Sequence, residues 1–416
     1  MNLKLTKKER NWILYDVGNS AFTMLVATII PLYFNYLAGL GGLSSVDYLA
    51  FWGYASSAAT LVVALLGPVL GTLADTKGYK KPIFTISLLT GSIACVCLGF
   101  LRQWMAFLVI FVITKIAYSG SLIFYDSMLS DVTEAERMDH VSSQGYAWGY
   151  IGSCIPFGAC ILVVLNNERL GFSMETAMCI AFIIVALWWM AMSIPLLHGY
   201  RQKYYVEKKP HAFRESFLRI RKTFSNIRHH RKIFLFLLAI FFYIDGVYTI
   251  IDMATAYGSA LGLDSTGLLL ALLVTQLVAF PFCILFGRLA QKIRTSVLIT
   301  TCIIAYIGIA IFALFLSTQL HFWILAVLVG MFQGGIQALS RSYFTKLIPA
   351  EQSGEYFGLL DICGKGAAFM GTTIVSFVSQ ITGNINTGVG MISILFIIGL
   401  ILFLCCVKIP DESPEK

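Results

Sequence analysis

Ionisable side chains stand inside long apolar stretches of this chain, among them Asp16, Lys115, Asp126, Asp245, Asp252, Arg341, Asp361 and Lys365. A charge in hydrocarbon is costly and is kept where it handles a solute or an ion. These residues form stripes with polar neighbours. Asp16, Ser20 and Thr23 follow at i, i+4 and i+7, and so do Asp245, Thr249 and Asp252. Lys115, Ser119 and Asp126 follow at i, i+4 and i+11, and Gln333, Gln337 and Arg341 at steps of four. Helical spacing puts each set on one side of its helix. Lys115 and Asp245 fall nearest the middle of their spans. One suits a carboxylate and the other an ammonium, as a zwitterion such as an amino acid requires; alternatively they pair and fix packing. Asp361 and Lys365, at i and i+4, read most simply as an intrahelical ion pair. Asp245 or Asp361 is a candidate carrier of a coupling proton.

A second constellation is the run Gly71-Thr-Leu-Ala-Asp75-Thr-Lys-Gly78-Tyr-Lys80-Lys81, where one apolar segment ends and the next begins. Gly71 and Gly78 allow close helix approach and a tight turn. Asp75 can cap the start of a neighbouring helix or pair with a basic residue. Asp126 and Arg341 occupy related places at the inner ends of their spans. They are expected to form, or alternate in, an inner-gate salt bridge, the plainer alternative being that each snorkels to the surface. A direct pair predicts that exchanging the two charges restores transport lost in Asp126→Ala.

The elements that must position these residues are membrane helices. Of 416 residues, 58% are hydrophobic and 12% charged, with mean hydropathy +0.79. Soluble domains carry about 25% charged residues, so a soluble fold is excluded. Continuous rather than alternating apolar runs argue for helices over a barrel. About twelve spans fit, near 11–37, 46–74, 82–101, 105–130, 142–165, 173–197, 233–258, 265–289, 296–316, 321–345, 354–380 and 386–407. The predicted fold class is an all-α membrane protein of two pseudo-symmetric six-helix halves. The division is 1–197, a basic linker 198–232, and 233–416.

Basic residues set the orientation. Lys4, Lys7, Lys8, Arg10, Lys77, Lys80, Lys81 and the run from Arg201 to Lys232 fall on one side, against Arg102 and Arg169 on the other. Both termini are thus expected in the cytosol, and the net charge of +8 needs no nucleic-acid partner. Phe213, Phe217, Ile220, Phe224 and Ile227 give the linker an amphipathic helix, suited to an anionic leaflet or to simple connection. The halves read as diverged copies. Gly71-x-Leu-Ala-Asp75 returns as Gly287-Arg-Leu-Ala-Gln291, Tyr15-Asp16 as Tyr243-Ile-Asp245, and Tyr125-Asp126-Ser127 as Ser340-Arg341-Ser342.

No phosphate-binding loop, His-Glu-x-x-His or convincing nucleophile–base pair is present, and the ten cysteines lack zinc spacing. No enzyme activity, catalytic residue, metal or cofactor is expected. Short loops and the lack of a targeting segment fit a multi-pass protein, monomeric, in a bacterial cytoplasmic membrane.

The Gly71–Lys81 run resembles the signature loop of the major facilitator superfamily, and Lys115-x-x-x-Ser119-Gly120 resembles its fourth-span motif. Trp12-Ile-Leu-Tyr-Asp-Val-Gly-Asn-Ser-Ala21, Ser142-Ser-Gln-Gly-Tyr-Ala-Trp-Gly-Tyr-Ile-Gly152, Tyr243-Ile-Asp-Gly246 and Gly334-Gly-Ile-Gln-Ala-Leu-Ser-Arg-Ser-Tyr343 are similar to one branch. That branch is the vacuole-effluxer-like group of autophagy-related amino-acid effluxers and their bacterial relatives. The resemblance implies twelve helices, alternating access, and a cavity lined by spans 1, 4, 7 and 10. It also implies that the Gly71–Lys81 loop locks the inner side of the outward-open state. The expected function is secondary transport of a small polar solute, an amino acid and a coupling proton being the candidates. The alternative is a lipid or amphiphile translocase on the same fold.

Overall fold

A computed structural model describes residues 4–43, 45–207, 230–260, 263–383 and 385–410. Apolar runs satisfy their backbone hydrogen bonds internally, and the regular structure among the described residues is accordingly helical, apart from an isolated bridge between Thr76 and Val206. The first half contains α1 (Lys7–Ala27), α2 (Ile29–Leu40), α3 (Ser45–Ala74), α4 (Lys80–Leu98), α5 (Trp104–Ser127), the short α6 (Leu129–Val132), α7 (Met138–Leu165) and α8 (Met174–Gly199). The second contains α9 (Arg231–Ala260), α10 (Ser265–Leu289), α11 (Thr295–Ala313), α12 (Gln319–Leu347), α13 (Ser353–Thr382), α14 (Ile385–Gly390) and α15 (Ile392–Lys408).

Eleven segments among the described residues are long and apolar enough to cross a membrane. The remaining expected span, 354–380, falls on α13, a helix of 30 residues. The first span is not continuous. Thr28 leaves helical geometry at φ −133° and ψ −68°, dividing α1 from α2. Pro31 explains the break, because its ring clashes with the carbonyl four residues back, that of Ala27. The expected amphipathic helix of the linker lies outside the described residues.

The halves repeat their internal packing. In the first, Tyr15 hydrogen-bonds Ser121 of α5 at 2.5 Å, and in the second Tyr243 hydrogen-bonds Ser340 of α12 at 2.7 Å. Trp12 stacks on Tyr125 with ring centroids 4.4 Å apart and donates its indole N–H to the Tyr125 carbonyl at 2.9 Å. These contacts fix α1 against α5, the two helices that present Asp16 and Asp126.

Candidate transport cavity and gate

A cavity of about 490 Å³ lies between the halves. It is lined from α1 by Asp16, Asn19, Ser20 and Thr23, from α5 by Tyr118, Ser119 and Asp126, and from α7 by Tyr146, Tyr150 and Ser153. The second half contributes Tyr248 of α9, Gln276 of α10, Gln333, Gln337 and Arg341 of α12, and Asp361 of α13. That volume suits a small ligand held by a few placed polar groups. Thr23, about 10 Å along α1 from Asp16 by helical rise, lines the cavity and is exposed.

The floor is built around Arg341, whose side chain is 5% exposed. Its Nε donates to Ser142 Oγ at 2.9 Å and Nη2 to the Ser142 carbonyl at 3.0 Å. Nη1 reaches Asp126 Oδ1 at 3.0 Å, and both Nη atoms reach Asp16 Oδ2 at 3.4 Å. The guanidinium lies 4.3 Å from the Tyr146 ring centroid and 4.7 Å from that of Trp12. A second-half cation is thereby stapled to α1, α5 and α7 of the first half. The pair expected between Asp126 and Arg341 is direct, but it is one edge of a larger net. Exchanging the charges would set an acid at position 341 against Asp16. The Asp126→Arg/Arg341→Asp double exchange should therefore stay below about one-tenth of wild-type transport, since an unpaired buried charge costs roughly 3–5 kcal/mol. Recovery to wild-type rates in a vesicle assay would reduce the net to a simple pair.

Below the floor, the end of the bundle carrying Lys77, Lys80, Lys81 and Arg201 is closed by two seams. In the first, the Asp75 carboxylate accepts the backbone N–H of Gly354 at 2.8 Å and of Glu355 at 2.9 Å, capping the start of α13. Gly71 lets the two backbones meet there: a Cβ would overlap the Gly354 carbonyl, at 2.7 Å from its carbon. Gly78 turns the loop at φ +80°. Lys80 is fully buried, 3.6 Å from both Asp75 and Asp131, and donates to Ser353 Oγ at 2.9 Å. Lys81 is exposed. In the second seam Asp139, at the start of α7, gathers Lys346 at 2.5 Å, Ser342 at 2.6 Å and Thr295 at 2.7 Å. Gly287, the counterpart of Gly71, packs on Ser143 there. The acid missing at Gln291 is supplied from the opposite side of the seam.

Several of these partners are not legible in the sequence as site residues. Asp131 also accepts the Tyr200 hydroxyl at 2.6 Å and the backbone N–H groups of Lys203 and Tyr204. Val206 exchanges backbone hydrogen bonds with Asp75 and Lys77, so residues 200–207 strap the gate loop. Burial, reinforced by Asp131, pushes the Tyr200 phenol well above its ordinary pKa. Tyr150, expected to serve packing, also lines the cavity, and its hydroxyl has no hydrogen-bond partner among the described residues.

The central charges sit differently from their expected places. On α9 the cavity is faced by Ile240, Ile244, Tyr248 and Ile251. Asp245 and Thr249 project from the adjoining face into the packing with α13. There Asp245 Oδ1 accepts the Gly371 N–H at 3.1 Å and the Thr249 hydroxyl at 3.3 Å. One residue along a helix is a rotation of about 100°, which moves Asp245 off the wall. Lys115 lies on the Ser119–Asp126 face, one turn beyond the part of α5 that lines the cavity, its ammonium 5.9 Å from the Phe111 ring centroid. Lys115 and Asp245 are therefore not a facing pair across the cavity. Asp16, Gln333, Gln337 and Asp361 do line it. The side chains of Asp252 and Lys365 lie outside the described residues.

Paired helical halves around a cavity that carries polar groups from both, sealed at one end by a glycine–aspartate loop, define a major facilitator transporter, a secondary transporter embedded as a multi-pass membrane protein. The fold of the transporter FucP in its outward conformation superposes with TM-score 0.75 at 11% identity, covering 98% of this chain and 100% of that one. A bacterial homologue of the iron transporter ferroportin in the outward-facing state gives 0.69 at 14% identity, covering 98% and 100%.

The chain belongs to the vacuole effluxer Atg22-like family, whose profile matches residues 6–411. It is 42% identical to the MFS-type transporter YxiO of Bacillus subtilis (strain 168), over 99% of this chain and 97% of that protein. Autophagy-related protein 22-1 of Aspergillus niger is 26% identical over 65% of this chain. That alignment spans 47% of the fungal protein.

Proposed function

We propose that this protein carries a small polar solute across the membrane by alternating access, with the closed basic end facing the cytosol. The observation that carries the proposal is the cavity itself: polar groups from both halves face one space, and its floor is the net that ties the halves together. Solute bound there is exposed to one side only while Arg341 and the two seams hold. Breaking them and closing the far end would expose it to the other. The excess of basic residues at the closed end supports the cytosolic assignment. The likeness to a vacuole effluxer family supports export as the direction, an amino acid is the solute we propose, and Asp16, Asp126 and Asp361 on the cavity wall offer carboxylates for a coupling proton.

Counterflow in proteoliposomes tests this, with a panel of amino acids and other small metabolites and a pH-sensitive dye trapped inside. Exchange of at least one solute above empty vesicles is expected. It should be sharply reduced in Gln333→Leu/Gln337→Leu, and retained in Lys115→Ala because that ammonium stands beyond the cavity wall. A linked pH change identifies the proton as the coupling ion. No exchange of any soluble solute by folded, inserted protein would overturn the proposal in favour of a lipid substrate.

A further inference from the structure

We infer that the cavity floor recognises the ammonium group of an amine-bearing solute at Asp126, and that this contact loosens the Arg341 staple and so releases the closed end. The inference rests on the reading of the cavity as a transport path, and deepens it.

The valences of the floor decide which charge a ligand must bring. A guanidinium has five N–H donors. Those of Arg341 are taken up by Ser142 Oγ, the Ser142 carbonyl, Asp126 and Asp16. Its faces are covered by Trp12 and Tyr146. No donor remains for a ligand carboxylate while this end is closed. The acids are in the opposite condition. Two carboxylates share one guanidinium, which leaves a negative charge uncompensated at the floor. Asp16 is nearly buried and held by Asn19 at 3.3 Å as well as by Arg341. Asp126 keeps 27% of its side chain exposed, lines the cavity, and receives no donor at Oδ2 among the described residues. A carboxylate in a poorly solvated site gains most from a cation that also hydrogen-bonds. A primary ammonium has three donors and no acceptor, and Ser119 and Gln337 on the same wall supply further acceptor oxygens. The unpartnered Tyr150 hydroxyl, on the same cavity, is a second polar group that a ligand would complete.

The gating consequence follows from shared use of one carboxylate. Asp126 belongs to the first half and Arg341 to the second, so their 3.0 Å contact is a bond between halves. An ammonium that takes part of that carboxylate weakens the bond. Arg341 is left on Ser142 and the longer 3.4 Å contacts to Asp16. Binding energy is thereby spent on lowering the barrier to opening, the differential contact that a ligand-driven shift requires. A cation has this effect and an anion does not.

Matched probes separate the charges. The full chain in lipid nanodiscs would be titrated calorimetrically with the amino acids, their carboxylate-free amides and their N-acetyl derivatives. The amides are expected to bind within about threefold of their parents, and the N-acetyl compounds at least about tenfold more weakly, as loss of a charged hydrogen bond implies. In Asp126→Asn the parent and N-acetyl affinities should converge. Gate release is read as a spin-label distance between Lys81→Cys and Glu351→Cys, exposed positions on opposite halves, with the exposed Cys97 and Cys405 replaced by serine. That distance should lengthen with amides and not with N-acetyl compounds, a comparison that needs no change at the floor. Equal or tighter binding of N-acetyl compounds, or lengthening driven by them, would overturn the ammonium assignment while counterflow leaves the transporter reading standing. Absence of counterflow for every soluble solute removes the polar-solute reading on which the inference rests.

Discussion

Lys80→Met is expected to destabilise the closed state by about 3–5 kcal/mol, the cost of leaving buried charges without their partner, and to abolish transport. The Lys80 ammonium and the carboxylates of Asp75 and Asp131 are all fully buried. Methionine fills the volume but leaves two acids facing each other with no cation between them. Each acid retains hydrogen bonds: Asp75 from Gly354 and Glu355, and Asp131 from Tyr200, Lys203 and Tyr204. Those bonds hold the carboxylates in place, so the repulsion cannot be relieved by rotation. The result should be separation of α3 and α6, with loss of the cap on α13 and of the strap over residues 74–77. Thermal unfolding in nanodiscs and counterflow would show both effects. Lys81→Met is the control. It removes a neighbouring charge that is exposed, so its effect should lie within about 0.5 kcal/mol. Equal melting of the two variants would mean that Lys80 is not the hub.

Hydrophobic patterning displays the helices and the sequence displays the gate loop, because both are local. A run long enough to span reads as a helix wherever its partners lie, and Gly71, Asp75 and Gly78 act through a turn whose geometry their own residue types dictate. The break at Thr28 is also locally encoded, since Pro31 follows three residues later. Facing is harder to read. The rule that polar means cavity-facing describes Asp16, Ser119, Gln333 and Gln337. It does not describe Asp245, because a helix in a bundle has two polar-tolerant faces, and Gly371 opens a cradle on the other one. A Cβ at Gly371 would lie 2.6 Å from Asp245 Oδ1, so the glycine on α13 and the acid on α9 fit each other over a separation no periodicity reveals. Asp131 and the strap are illegible for a related reason. An acid in a segment as short as α6 looks solvated until the chain returns from α8 and buries it.

Gly71→Ala should cost at least about tenfold in transport and leave the basic end open without ligand. The added Cβ would overlap the Gly354 carbonyl oxygen and stand 2.7 Å from its carbon. Both are backbone atoms of α13, which have no rotamer to change. The reverse contact is as close: a Cβ on Gly354 would meet the Gly71 carbonyl oxygen at 2.5 Å and Asp75 Oδ1 at 2.8 Å. Neither helix can yield alone, so α3 and α13 must move apart. That movement carries Asp75 away from two N–H groups whose hydrogen bonds to a charged acceptor are worth about 1.5–3 kcal/mol each. A shift of about 3 kcal/mol in a two-state equilibrium changes the ratio of states more than a hundredfold, enough to empty the closed form. The spin-label pair on Lys81→Cys and Glu351→Cys should then report the long distance in the absence of any solute. Gly78→Ala distinguishes this packing effect from turn strain. Gly78 has φ +80° but no heavy atom within 4 Å of an added methyl, so alanine there incurs only the left-handed penalty of about 1–2 kcal/mol. Its gate should remain shut, with a lowered melting temperature. If Gly71→Ala also stays shut, the Asp75 cap is not what holds the two halves together, and the weight of closure falls on Arg341 and Asp139.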